Sequence, residues 1–145
     1  RVVEEALRAG SITELGGFDV RAEFPFGASR IDFLLQKGDE KVLVEVKNVT
    51  LCSHNNVASF PDAVTIRGQK HLLELSESLR QGYRAVIFFL VQRNEATAFS
   101  PADEIDPDYG RLLREVAGQG VEVLAYKTHV TPEENCVADQ IPVIL

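Results

Sequence analysis

The stretch that decides the fold is SRIDFLLQKGDEKVLVEVKNVT, Ser29 to Thr50. It reads as two apolar strands joined at Gly38–Asp39, a two-residue hairpin connection in which Gly supplies positive φ. In the first strand, alternation puts Ile31, Phe33 and Leu35 on one face and Arg30, Asp32 and Leu34 on the other. In the second, Val42, Val44 and Val46 oppose Leu43, Glu45 and Lys47. The turn sets the register, which pairs Leu34 with Leu43, Asp32 with Glu45 and Arg30 with Lys47, all on one face. Directly paired residues hold their Cβ atoms about 4.5–5.5 Å apart, and two carboxylates there repel by roughly 3 kcal/mol at an effective dielectric near 20. A divalent cation between them offsets that repulsion, and Mg2+ commonly takes one or two carboxylates plus waters. Lys47 points the same way and suits a phosphate or a metal-bound water. The competing reading is a salt-bridge cluster, with Arg30 and Lys47 diagonal to the carboxylates. The apolar runs on both sides weigh against it, because they imply a central hairpin.

Working outward, Val3, Ala6 and Leu7 at helical spacing predict a short amphipathic helix over 2–9. Val20, Ala22, Phe24 and Phe26 alternate with Arg21, Glu23 and Pro25, which predicts a strand with one buried face. SHNNVASFPDA, residues 53–63, reads as a polar, proline-bearing loop. Leu72, Leu75 and Leu79 stripe a helix over 66–81 that Gly82 ends. YRAVIFFLVQ, residues 83–92, is a continuous apolar run, as expected of a central strand covered on both faces. Asp106 and Pro107 read as N-cap and N1 of a helix through Leu112, Leu113 and Val116 to Gly118 or Gly120. VEVLAY reads as a buried strand and IPVIL as a last one. The order αβββαβαβ predicts an α/β domain, a mixed β-sheet flanked by helices.

At 145 residues, with 45% hydrophobic content, the chain fits one domain with a single core. A formal net charge of −7 gives no whole-chain attraction for nucleic acid, so a polyanion partner requires a local basic face, a bridging metal or a second domain. Cys52 and Cys136 have neither CxxC nor zinc spacing, and they fit a reducing compartment. No apolar run reaches membrane-spanning length and no signal peptide is visible, so a cytoplasmic protein with no membrane partner is expected. The chain lacks methionine and opens on Arg1, which reads as a fragment of a longer protein.

Asp32 followed by Glu45-x-Lys47 on adjacent strands resembles the PD-(D/E)xK nuclease signature, with Ile31 in the place of Pro. The blocks SRIDFLL, VEVKNVTL, FPDAVTIRGQKHLLEL, GYRAVIFFLVQR, IDPDY and GVEVLAY together closely resemble the sugar fermentation stimulation protein A family over nearly the whole chain. The resemblance implies a restriction-endonuclease-like (PD-(D/E)xK) fold for residues 1–145, with the family's N-terminal OB-fold domain outside this chain. It implies DNA as partner, an association with regulation of sugar (notably maltose) metabolism, and a nuclease domain that hydrolyses DNA with Mg2+ or Mn2+. The alternative is a non-catalytic DNA-binding regulator with a vestigial metal site, and a third option is a protein-interaction module. Oligomeric state stays open, a dimer included.

By the same resemblance, Asp32 and Glu45 are metal ligands and the Val46 backbone carbonyl is a third; Glu23, on the polar face of the preceding strand, is a candidate to extend the acidic site. Lys47 positions water and stabilises charge on the scissile phosphate. Gln69 matches a helical Gln that assists related nucleases, although Leu73 stands where they carry Tyr. Arg30, Arg67, Gln69, Lys70 and His71 are the candidate phosphate contacts. Against these stand plainer readings: a solvated first turn for Arg67 and Lys70, a structural His71, and a solvated strand residue for Glu23.

Overall fold

A computed structural model describes residues 2–130 and 135–145. Helix α1 (Val2–Ala9) leads into three antiparallel strands, β1 (Asp19–Phe26), β2 (Ser29–Lys37) and β3 (Glu40–Val49). The β2–β3 turn closes on Gly38 at a φ of 59°, where a side chain is strained. Two short strands follow, β4 (Leu51–Cys52) and β5 (Val57–Phe60), then helix α2 (Ile66–Arg80) and strand β6 (Arg84–Val91). The chain continues through β7 (Ala98–Pro101), α3 (Pro107–Gln119), β8 (Glu122–Val130) and β9 (Asn135–Gln140). The main sheet runs β1-β2-β3-β6-β8-β9, with β3, β6 and β8 parallel, and β4-β5-β7 form a small second sheet.

The sheet is mixed because β3 and β6 are apolar on both faces and need cover on both. On one face Val3, Ala6 and Leu7 of α1 pack with Phe33, Val44 and Phe88. On the other, Leu72 and Leu75 of α2 and Leu113 and Val116 of α3 pack with Leu43, Ile87 and Phe89. Fully burying each large side chain contributes about 1.5–3 kcal/mol, so these two layers fix the position of α2 against β3.

Four sequence expectations need correction. Ile31 does not share a face with Phe33 and Leu35: it packs in the α2–α3 layer with Leu34, while they pack under α1. Alternation breaks there because the backbone turns at Asp32. The β2–β3 ladder stops at Phe33–Val44, and in β1 Glu23 takes a φ of 57° between the Ala22–Phe33 and Phe24–Ile31 pairs. Second, β1 is an edge strand with little burial, Phe26 alone being buried. Third, SHNNVASFPDA contains β5, too short for its alternation to register in the sequence. Fourth, IPVIL is not a strand. Only Val143 forms a bridge, to Phe99, and the last strand is β9. Cys52 and Cys136 are free and half-buried. Among the described residues no helix is long and apolar enough to cross a membrane.

The α2 N-terminus is tied to α3 through one carboxylate. Asp106 caps α3 at Tyr109 N (3.0 Å) and also accepts from Thr65 N (2.9 Å) and Gln69 Nε2 (3.2 Å). Burial alone would raise the Asp106 pKa, but these donors outweigh it and hold the carboxyl below its usual range. Its stabilisation is therefore complete above the unfolded aspartate pKa and is lost as pH falls through the folded one. Asp106→Ala should cost about 2 kcal/mol at pH 7, with the gap to the natural protein narrowing in acid. Urea titrations at pH 7 and pH 3 check this, and a difference below about 0.5 kcal/mol at pH 7 would contradict the tie.

Candidate metal and phosphate site

Where the β2–β3 ladder stops, two carboxylates replace it. Glu45 Oε1 accepts from the backbone N–H of Asp32 (3.1 Å), and Asp32 Oδ2 accepts from the backbone N–H of Val46 (2.8 Å). Each acid thus satisfies an amide of the opposite strand that the parted ladder would leave unpaired. Asp32 and Glu45 are therefore adjacent, but the expected ladder pairs Asp32–Glu45 and Arg30–Lys47 do not form and the two acids do not share one face: Asp32 borders a cavity on the α1 side, while Glu45 Oε2 meets His71 of α2.

Glu45 is only 3% exposed. Its other oxygen, Oε2, lies 3.4 Å from Lys47 Nζ and 2.9 Å from His71 Nδ1, while Nζ and Nδ1 are 2.8 Å apart. Burial pushes the Glu45 pKa up to about 7; the neighbouring Asp32 carboxylate pushes the same way, and Lys47 opposes. Burial, then Lys47 and Arg67, depress the His71 pKa, so its imidazole is neutral at pH 7. Nδ1 has one in-plane position for a hydrogen bond: in the tautomer that carries its proton there it donates to Glu45 Oε2, and in the other it accepts from Lys47 Nζ or from a protonated Glu45. The three groups share one tight proton-and-charge arrangement.

His71, an expected phosphate contact, lies with Nδ1 2.8 Å from Lys47 Nζ. The signal in the sequence was its place four residues before buried Leu75, on the packed side of α2. It also borders a cavity of about 360 Å³ lined by Ala28, Ser29, Arg30, Arg67 and Lys70. The structure therefore gathers Arg30, Arg67 and Lys70 in one groove beside Lys47. Among the described residues none of the three basic side chains is taken by an ion pair. Gln69 is not part of this groove; its amide is committed to both oxygens of Asp106 at 3.2 Å. Glu23 is exposed on β1 and does not join the two acids. On the α1 side, Asp32 and Val46 line a second cavity of about 360 Å³ with Asn48 and Gln92.

The donor set fits a hard cation in kind. Two adjacent carboxylates are oxygen ligands whose mutual repulsion a cation relieves. Among the described residues no three His, Cys, Asp or Glu side chains are arranged to hold a metal. A backbone carbonyl such as that of Val46, and water, would have to complete the shell.

Residues 1–134 match the family model described as the sugar fermentation stimulation protein RE domain. A sugar fermentation stimulation protein homolog from Syntrophotalea carbinolica is 57% identical over 145 residues, covering all of this chain and 63% of that protein. One from Pelobacter propionicus is 54% identical over 147 residues, covering all of this chain and 64% of that protein. The chain thus spans a little under two thirds of the length of these curated relatives. The structure of Pyrococcus furiosus SfsA in complex with Ca2+ superposes with a TM-score of 0.90 at 30% identity, over 99% of this chain and 62% of that one.

A carboxyl whose folded pKa is raised binds its proton more tightly when folded, so its stability contribution falls as pH rises from about 4.5 to about 7. Glu45→Gln removes that dependence. Without added cation, the variant should gain up to about 3 kcal/mol on the natural protein between pH 5 and pH 8. Urea titrations in chelator at both pH values measure the difference, and parallel behaviour of the two proteins would refute the charged-pair account.

Proposed function

This chain belongs to the sugar fermentation stimulation protein family, and on that premise we propose that the domain binds DNA and hydrolyses its phosphodiester bonds with a divalent cation held at Asp32 and Glu45. The observation that carries the reading is the meeting of Asp32, Glu45 and Lys47 where β2 and β3 part, beside a groove of basic side chains that form no ion pair among the described residues. The fold then serves as a restriction-endonuclease-like frame. The Pyrococcus furiosus relative is in complex with Ca2+, which supports a hard-cation site in the family.

Asp32, Glu45 and the Val46 carbonyl would hold Mg2+ or Mn2+, with Mg2+ as the physiological choice. Such a cation lowers the pKa of bound water and neutralises charge on a phosphoryl oxygen. The chain's own residues supply the rest. Arg30, Arg67 and Lys70 grip phosphates next to the scissile one and fix its position without reading sequence. Lys47, held at 2.8 Å by the neutral His71, is aimed from a site that excludes most water, where an ammonium stabilises developing negative charge strongly. Glu45 would serve as a ligand in its deprotonated form, where a cation would offset the repulsion that Asp32 exerts on it.

A second reading is a non-catalytic DNA-binding regulator of sugar metabolism in the cytoplasm. The observation that favours it is that Lys47 Nζ already lies 3.4 Å from Glu45 Oε2 and offsets its charge without a cation. The net charge of −7 also implies that much of the DNA affinity lies in the part of the relatives that this chain does not span, expected to be an OB-fold domain.

Lys47→Ala separates the two. An enzyme should lose at least about 100-fold in nicking rate. Its DNA affinity should change little, because one phosphate contact among several is removed. Calorimetry should show Mn2+ binding lost in Asp32→Asn. Metal-dependent nicking that persists in Lys47→Ala and Glu45→Ala would reject the assignment, and firm binding with no nicking of any DNA form would favour the regulator.

A further inference from the structure

Helix α2 carries a second feature next to the basic groove. Val64, just before its N-cap Thr65, is 65% exposed, Ile66 is 73% exposed and Leu73 is 56% exposed. Ile66 and Leu73 are seven residues apart, two helical turns, so they share one outward stripe with Lys70 between them. Arg67 sits about a quarter-turn further round, and His71 further still, toward Lys47. Passing round the helix from the carboxylate pair, one meets His71, then Arg67 and Lys70, then an aliphatic strip. The strip ends at Glu77, whose carboxylate is taken by Arg80 (2.7 Å).

Single exposed aliphatic side chains are ordinary, so this stripe gains its meaning from what lies beside it. Its occupant is indicated by charge. The strip contains Lys70 and adjoins a groove whose three cations form no ion pair among the described residues; the Glu74 carboxylate, near His71 and Gly27, offsets part of that charge, and three cations against it still attract a polyanion. A nucleic-acid strand whose phosphates lie on Arg67 and Lys70 turns its bases outward within reach of a neighbouring strip. Leu and Ile are residues that wedge between base steps in bent or unstacked DNA. Regular duplex keeps its base faces stacked and offers the strip nothing.

We propose that Val64, Ile66 and Leu73 form a base-contacting shelf that makes the site select unpaired or easily unstacked DNA over regular duplex. This rests on the phosphodiester reading of the groove and goes beyond it by naming the substrate class. Phosphates position the strand through Arg30, Arg67 and Lys70, while the shelf responds to whether base faces are available.

The test is fluorescence anisotropy with the full-length protein, a labelled oligothymidylate, an abasic strand of equal length and a blunt duplex. The natural protein should bind the oligothymidylate about tenfold more tightly than the abasic strand. Ile66→Ser combined with Leu73→Ser should bring the two strands to equal affinity and leave abasic binding unchanged. Ile66→Phe, which enlarges the shelf, should widen the preference. Arg67→Ala should weaken both strands alike. A preference that survives the double serine variant, or a tighter grip on duplex than on either strand, overturns the shelf while the phosphate groove stands. Serine variants that change only the sedimentation of the protein alone would make the strip an interface between copies, which also overturns it. If no DNA form binds, the phosphodiester reading fails first and the shelf with it.

Discussion

The structure around the site depends on the parting of β2 and β3 at Asp32. A sheet cannot leave buried amides unpaired without losing the worth of a hydrogen bond at each. Here the ladder ends at Phe33–Val44, and the next two amides are taken by carboxylates from the facing strand. That exchange has two consequences at once. It brings two acids together, and it turns β2 so that Ile31 packs under α2 and α3 and not under α1. The kink that an alternation argument misses is also what builds the site.

Putting Glu45 at the end of a central strand sets the electrostatics. It follows Leu43 into a layer packed by Leu72 and Leu75, so its charge is opposed first by burial and then by Asp32. A buried carboxylate near a like charge has three ways to be tolerated: a proton, a cationic side chain or a bound cation. The chain supplies the first two through the raised pKa and through Lys47, which His71 holds in place. Any metal therefore competes with the proton on Glu45, which predisposes binding to strengthen as pH rises. The same burial that makes the acid pair costly makes it responsive.

Much of this was legible in the sequence, for reasons particular to each residue. The hairpin register followed from Gly38–Asp39, since a two-residue turn leaves no freedom once φ is positive at Gly38. The α3 start followed from Asp106–Pro107, and the two-faced burial of β6 from its unbroken apolar run. Asp32, Glu45 and Lys47 could be grouped because register and motif pointed to the same three residues. What escaped had no local signal. The Lys47–His71 bond spans 24 residues of sequence, and the Gln69–Asp106 tie spans 37. Strand β9, NCVADQ, has no apolar alternation of its own and forms because β8 offers it an edge. β5 has only four residues, too few for a period to show.

The acidic net charge looks at first like an argument against any polyanion partner. Charges separated by more than about 8–10 Å are screened at physiological salt, so the local balance matters more than the sum. Away from the groove several cations are spent on carboxylates, Arg84 on Glu122 and Glu40, Arg93 on Glu95 and Arg114 on Asp103, while Arg21, Lys37 and Lys41 lie over aromatic rings. Arg30, Arg67 and Lys70 are not spent in this way among the described residues, and they surround one cavity. The local excess of cations in this groove therefore outweighs the net charge of −7 for any anion that reaches it.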